Sequence, residues 1–391
     1  MNKPLANLRV LEFTHAVLGP TTGLILCDLG AEVIRIEPVP AGDPTRKLKG
    51  FGMGYFPFFN RNKKSIGVNL KDPRGLDVIY KLLESTDVLV ENYAPGTMDR
   101  LKLGYEELAS HYPQLVYCQL KGFLPGPYQH RTALDEVVQM MSGLAYMTGP
   151  VGQPLRAGAS VVDVTTGMMG AMGILVALRE RDTTSKGQLV RSALFETAAF
   201  LMGHHMAYSA VSKEPVPPMP ARVSAWAIYH QFDTSDHQRV FIGVTSDKQW
   251  EKFCQVFERN DWLNEARLKT NNDRITERDW FLPAVREMVS KYALNDVLVK
   301  CEQAELPFSP IAHPEDLFHD EQLLQSGSLI PTTLPNGEQT QLPTLPFRLE
   351  SFNWAESASL PTYAEHTQEV LNQLGYAQDA IELMKNDGVV G

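Results

Sequence analysis

Short apolar runs rich in Val and Ile alternate with helically spaced apolar positions through roughly the first 120 residues. RVLEF (9–13), AEVIRIEP (31–38), SIGVNL (65–70), DVLVENY (87–93) and LVYCQLKGF (115–123) read as strands, with helices over 21–30 and from Gly75 to Glu84 between them. Repeated strand, helix and strand gives βαβ units and a parallel sheet, and near-continuous apolar runs suit strands covered on both faces. Helical spacing returns at 133–149 and 164–180, and the polar turn RDTTSKG separates the second of these from the strand QLVRSAL. Gly167, Gly170 and Gly173 fall at i, i+3 and i+6 within it. Glycine weakens a helix, so such a row implies close approach of another backbone.

KEPVPPMPAR, with four prolines in ten residues, fits an extended linker better than a regular element. The expected organisation is therefore a large domain beginning with 1–212, a linker at 213–225, and a small α+β domain at 226–325. That small domain holds the strand QRVFIGV, a helix over 247–262 and further helices over 281–305. Residues 326–391 form a second, loop-rich linker, PTTLPNGEQTQLPTLPF, and a closing helix at 363–385 that returns to the large domain.

Charge narrows the function. Of 391 residues, 36 are Lys or Arg and 46 are Asp or Glu, and 36 − 46 = −10 argues against a general binder of nucleic acid or anionic membrane. Four scattered cysteines without a C-x-x-C pair point to a reducing compartment and away from structural zinc. The amino terminus lacks a signal-type apolar core and no run of about 18 apolar residues is seen, so a soluble cytoplasmic protein is expected. Between Arg46 and Lys102, however, eleven basic residues face six acidic ones. This local excess reads either as a solvated face or as a site for a phosphate-bearing ligand at the carboxyl ends of the strands.

Common signatures are missing. THAVLGPTTG, after the first strand, lacks the G-x-G-x-x-G turn, and there is no P-loop, G-x-S-x-G, H-E-x-x-H or EF-hand. His204 and His205 point to different helix faces and make poor joint ligands, so no metal is expected. Asp163, in LRAGASVVDVTTG, stands at a helix start, where free N–H groups favour an anion; it reads as an N-cap or as a reactive carboxylate. Glu136 is a second carboxylate on a largely apolar helix, and Asp135 beside it reads as a cap.

LANLRVLEFTHAVLGPTTGLILCDLGAEVIRIE with GDPTR, NRNKKSIGVNLKDPRG, DVLVENYAPGTMDRLKLGYEEL, MMSGLAYMTG, VVDVTTGMMGAMGILVAL and TSKGQLVRSAL follow one another over most of residues 5–200. In order and spacing they resemble the family III CoA-transferases, also called the CaiB/BaiF family. The resemblance implies a Rossmann-like large domain built from both chain ends, a smaller α+β domain and an interlocked homodimer. It implies transfer of CoA from an acyl-CoA to a free carboxylic acid, with CoA thioesters as substrates and no permanently bound cofactor. Asp163 takes the position of the nucleophile, which forms a mixed anhydride and then an aspartyl-CoA thioester. Oxyanion donors are expected from backbone N–H groups near Asp163 or from a closing loop. For CoA it implies His15, Ala16 and Val17 after the first strand, Lys71 in the LKDP turn, and Asn92, Tyr93 and Arg100 in ENYAPGTMDR. Glu136 is matched to an active-site glutamate of formyl-CoA transferases.

Departures also count. VPPMPARVSAWAIY lacks the glycine run of formyl-CoA transferases, which weakens an oxalate and formate assignment, and Pro38 stands where those relatives carry an arginine. Leu134 occupies the position of the histidine base of α-methylacyl-CoA racemases, so racemisation or epimerisation is the weaker alternative, beside a non-catalytic CoA-binding protein. A dicarboxylate such as succinate is the suggested acid, with Arg156 and Arg222 as candidates for its distal carboxylate.

Overall fold

The computed structural model describes residues 3–222, 224–352 and 354–391, so Val223, inside the expected linker, lies outside the described residues. The chain divides into two compact units, Met1–Ala221 with Glu321–Gly391, and Arg222–Asp320, against borders expected at 225 and 325.

The first unit is built on six parallel strands: β1 (Arg9–Phe13), β2 (Glu32–Glu37), β3 (Lys64–Gly67), β4 (Val88–Glu91), β5 (Val116–Lys121) and β6 (Leu189–Ala193). Their order is β3-β2-β1-β4-β5-β6, so the direction of winding reverses between β1 and β4. Val10, Leu11, Val88, Leu89, Val116 and Tyr117 are all fully buried, as strands with helices on both faces require. Ligands of such sheets collect at the carboxyl ends of the strands beside this reversal.

The helices of this unit include α1 (Leu18–Asp28), α2 (Pro73–Leu83), α3 (Asp135–Met141), α4 (Val161–Thr184), α5 (Leu194–Leu201) and α6 (Gly203–Ser212). α1 begins earlier than the 21–30 pattern suggests, because Pro20 is tolerated in a first helical turn. The expected helix over 133–149 is interrupted at Gly143, which is left-handed at φ 85°. α4 shows why its glycines are there. A Cβ at Gly167 would lie 2.8 Å from the Leu18 carbonyl oxygen, and one at Gly170 or Gly173 would lie 2.7 Å from Leu120 or Val190. Thr22 of α1 donates to the Gly167 carbonyl at 2.9 Å, closing the helix contact. By length and composition α4 is also apolar enough to cross a bilayer, a pattern not counted from the sequence.

The second unit pairs β7 (Tyr229–Asp233), β8 (Arg239–Gly243) and β9 (Phe308–Pro310) with α7 (Asp247–Val256), α8 (Arg278–Val289) and α9 (Leu294–Gln303). Its core centres on Trp250, Phe253, Trp262 and Phe281. The helix expected over 247–262 stops at Val256 and resumes for one turn at Asn260–Leu263.

Residues 329–343 were expected as loop but form an antiparallel hairpin of β10 (Leu329–Thr333) and β11 (Gln339–Pro343). The closing helix is two, α10 (Thr367–Gln373) and α11 (Gln378–Asn386), broken at Gly375 with φ 82°. Val370, Leu371, Ile381 and Met384 join the core of the first unit beside Ile66 and Val68, so the chain end returns to this sheet.

Candidate active site

The loops leaving β1 and β4 are locked together. Asn92 accepts a hydrogen bond from the His15 N–H at 3.0 Å and donates to the His15 carbonyl at 2.9 Å. Ala16, next along, is held left-handed at φ 61°. Lys121, at the end of β5, donates 2.6 Å bonds to both Glu91 and the Tyr93 carbonyl, while Glu91 accepts from the Tyr93 N–H at 3.0 Å. Glu91 is fully buried, and burial pushes its carboxyl above the usual range.

Three adjoining cavities run along these loops. The first, about 560 Å³, is lined by Lys71, Arg100, Pro38 and Tyr93. The second, about 460 Å³, meets His15, Pro38 and Tyr93. The third, about 260 Å³, has His15, Ala16, Asn92, Tyr93 and Asp163 on its wall. Tyr93 is common to all three, and burial pushes its phenol up to about 12. Burial, with Arg35 and Lys121 nearby, holds the His15 imidazole below its ordinary value and thus neutral at neutral pH. Of the residues expected here, Val17 alone does not face a cavity: it is buried against Leu24 and Phe59.

Five of the eleven basic residues of this region are spent on ion pairs within the fold. Arg46 pairs with Glu37, Arg61 with Asp28, Lys63 with Glu12, Lys64 with Glu32 and Arg74 with Asp72. Lys71 and Arg100 are left facing the first cavity, with Arg100 donating to Thr97 at 2.9 Å.

Asp163 sits in the first turn of α4, at the opposite end of the run of cavities from Lys71. It is not the cap of its own helix. Asp135, from α3, accepts from the Val162 and Asp163 N–H groups at 2.9 and 3.0 Å and caps α4 from outside. Gln139, one turn along α3, donates to Asp135 and accepts from the Ala157 N–H at 2.9 Å. Burial, then the neighbouring Asp135 charge, push the Asp163 carboxyl up to about 7, with Arg156 pulling the other way. The Val161 and Val164 amides also have acceptors, Ala159 and Ser160, so this helix start offers none of the oxyanion donors expected from it.

Glu136 is not brought to this site. Its side chain is 59% exposed and pairs with Arg156 at 2.7 Å, while the carboxylate against Asp163 is its neighbour Asp135. Helix phase carries the signal: Asp135, Val138 and Gln139 share the buried face at i, i+3 and i+4, and Glu136 falls with exposed Met140. Arg156, paired in this way, is not a free anchor for a substrate, and Arg222 begins the second unit. Leu134 lines the Asp163 cavity. Among the described residues, no three His, Cys, Asp or Glu side chains gather as a metal site.

A carboxylate at one end of a run of cavities that begins with two cations suits a ligand with an anionic head and a reactive far end. Comparison with known proteins gives the same class. The family described as CoA-transferase family III matches residues 5–367. The chain is 31% identical over 395 residues to the succinyl-CoA:glutarate CoA-transferase of Mus musculus, covering 99% of this chain and 90% of that protein. It is 36% identical over 315 residues to the acetyl-CoA:oxalate CoA-transferase of Acetobacter aceti, covering 79% and 80%. A CaiB/BaiF family protein from Brucella suis superposes with a TM-score of 0.86 at 30% identity, covering 96% of this chain and all of that one. The chain belongs to the family III CoA-transferases. It is a transferase that moves CoA from an acyl-CoA to a carboxylic acid.

Proposed function

We propose that Asp163 is the nucleophile of this transfer. The observation that carries the reading is a half-buried carboxylate whose own helix is capped by Asp135, leaving its oxygens to the cavity. The Asp163 carboxylate adds to the thioester carbonyl of the donor, the C–S bond breaks, and CoA leaves as thiolate from a mixed anhydride. The thiolate attacks the Asp163 side-chain carbonyl and expels the donor acid, leaving aspartyl-CoA. The acceptor carboxylate then attacks that thioester, forming a second anhydride, and the thiolate takes the acceptor acyl group and restores Asp163. Every step exchanges one activated acyl bond for another, so no ATP is consumed, and a walled cavity limits loss to water.

Lys71 and Arg100 hold the phosphates of CoA at the far cavity, Tyr93 lies along its length, and His15, Ala16 and Asn92 guide the pantetheine arm toward Asp163. Asp135 orients Asp163 through its main chain, a role we assign to it in place of Glu136. The acids are dicarboxylates, with succinyl-CoA as donor; the mouse and Acetobacter relatives are named for glutarate and oxalate. Leu134 on the cavity wall supplies no second base, which speaks against racemisation. The active form is a homodimer, supported by the exposed apolar face of α4.

The test is mass spectrometry after mixing the protein with succinyl-CoA and other acyl-CoAs in the absence of acceptor. A CoA-sized, hydroxylamine-sensitive adduct on the Asp163 peptide, absent from Asp163→Ala, is expected. A donor that binds and turns over while leaving Asp163 unmodified overturns the reading.

A further inference from the structure

The cavity that holds Asp163 must admit a second anion, the acid substrate, beside a carboxylate and close to Asp135. Three side chains on its wall are basic: His15, Lys121 and Arg131. His15 is neutral at neutral pH, because burial and nearby cations lower it. Lys121 is neutralised by Glu91 at 2.6 Å. Arg131 differs, since its guanidinium is in no ion pair among the described residues. Instead it lies over the Tyr128 ring at 4.8 Å and near Phe123 at 5.8 Å. Those two rings pack on each other and on Phe195 in edge and tilted contacts, which makes the platform rigid. A stacked guanidinium keeps its N–H fork free at its edge, in a plane suited to two carboxylate oxygens.

We infer that Arg131 is the specificity-determining residue for the acid substrate, gripping the distal carboxylate of a dicarboxylate whose other carboxylate reacts at Asp163. This rests on the assignment of Asp163 as nucleophile and names the class of acid that reaches it. It replaces Arg156, which Glu136 occupies. One chemistry has two sources here, because the phosphates of CoA are also oxyanions, and the test separates them.

Transfer from succinyl-CoA is measured to glutarate and to valerate, a monocarboxylate of equal chain length, for the wild type, Arg131→Gln and Arg131→Lys. The wild type is expected to favour glutarate. Arg131→Gln is expected to raise KM for glutarate about 10- to 100-fold, as loss of a charge-assisted pair does. It leaves KM for valerate within about twofold, and Arg131→Lys recovers part of the glutarate preference. Acetyl-CoA serves as a donor without a distal carboxylate, and its KM is expected to be unchanged. A parallel rise for both acids, a rise in acetyl-CoA KM, no change at all, or a wild type that prefers valerate overturns the inference; the second of these assigns Arg131 to CoA. Adduct formation on the Asp163 peptide from succinyl-CoA, without acceptor, is read for the same proteins. Its absence from a wild type that turns succinyl-CoA over condemns the nucleophile assignment, whereas its presence with unaltered acid preference condemns only the role of Arg131.

Discussion

A carboxyl that remains protonated up to about 7 is a poor nucleophile below that value, and burial is the first cause of its shift. Since only the carboxylate of Asp163 attacks, kcat/KM for the acyl-CoA is expected to rise with pH through a limb near 7. A pH–rate profile in a series of buffers checks it, and a limb at an ordinary aspartate value of about 4 contradicts it. The same shift has a stability sign. With its folded value raised above the ordinary 3.8, Asp163 binds its proton more tightly in the folded chain, so its contribution falls as pH rises from 3.8 to about 7. Asp163→Asn removes the buried charge. It is expected to stabilise the ligand-free protein by on the order of 1–3 kcal/mol above neutral pH and to have little charge effect below about pH 4, as seen in urea unfolding at the two pH values.

At the scale of elements, α3 and α4 meet through Asp135, and this one side chain caps a helix and raises the carboxyl beside it. The two roles separate by substitution. Asp135→Asn keeps an oxygen for the Val162 and Asp163 amides but turns an amide donor toward Gln139 and removes the charge, so the activity limb is expected to move to lower pH with a smaller loss of melting temperature than full removal of the cap causes. Asp135→Ala also loses the cap and costs about 1 kcal/mol. Equal effects of the two variants on both readouts would contradict this division.

The pairing of α3 and α4 also marks what was legible beforehand. The strands of the sheet were readable because runs such as VLV and LVY are apolar on successive residues, and the glycine row of α4 declared a close contact before its partner was known. The two adjacent carboxylates of α3 were not separable by residue type. Only helix phase distinguishes buried Asp135 from exposed Glu136, and Val138 was the residue to count from. The β10–β11 hairpin escaped because its prolines and threonines were read as loop, although the Asn336-Gly337 pair at its tip is itself a hairpin signal. Arg131 escaped for another reason. It belongs to no motif, and its significance appears only when every other cation near Asp163 is seen to be paired or neutral.

For the whole molecule, the arginines and lysines between 46 and 102 show how a charge count over sequence can mislead: four of the eleven, Arg46, Arg61, Lys63 and Lys64, are consumed by buried or half-buried partners around β1, β2 and β3. What the surface keeps is a different kind of excess. Met168, Met172, Leu175 and Val176 recur at i, i+4, i+7 and i+8 on the outer face of α4 and are exposed, Val176 to 63%. Phe200 on α5 is exposed to 74%, and Val211 on α6 to 84%. Apolar area of this extent on regular helices is costly in water, and in the proposed homodimer it is covered by a second copy. Light scattering of the purified protein is then expected to give about twice the 43.7 kDa chain mass. Charging the face with Met172→Asp and Val176→Asp is expected to give the single-chain mass, since each carboxylate would have to be buried unpaired in the interface. The substituted positions point away from the glycine face that α1 and the sheet cover, so circular dichroism of the variant should remain that of the folded chain. A wild type at single-chain mass, or a folded double variant that keeps the doubled mass, would exclude this face as the dimer contact.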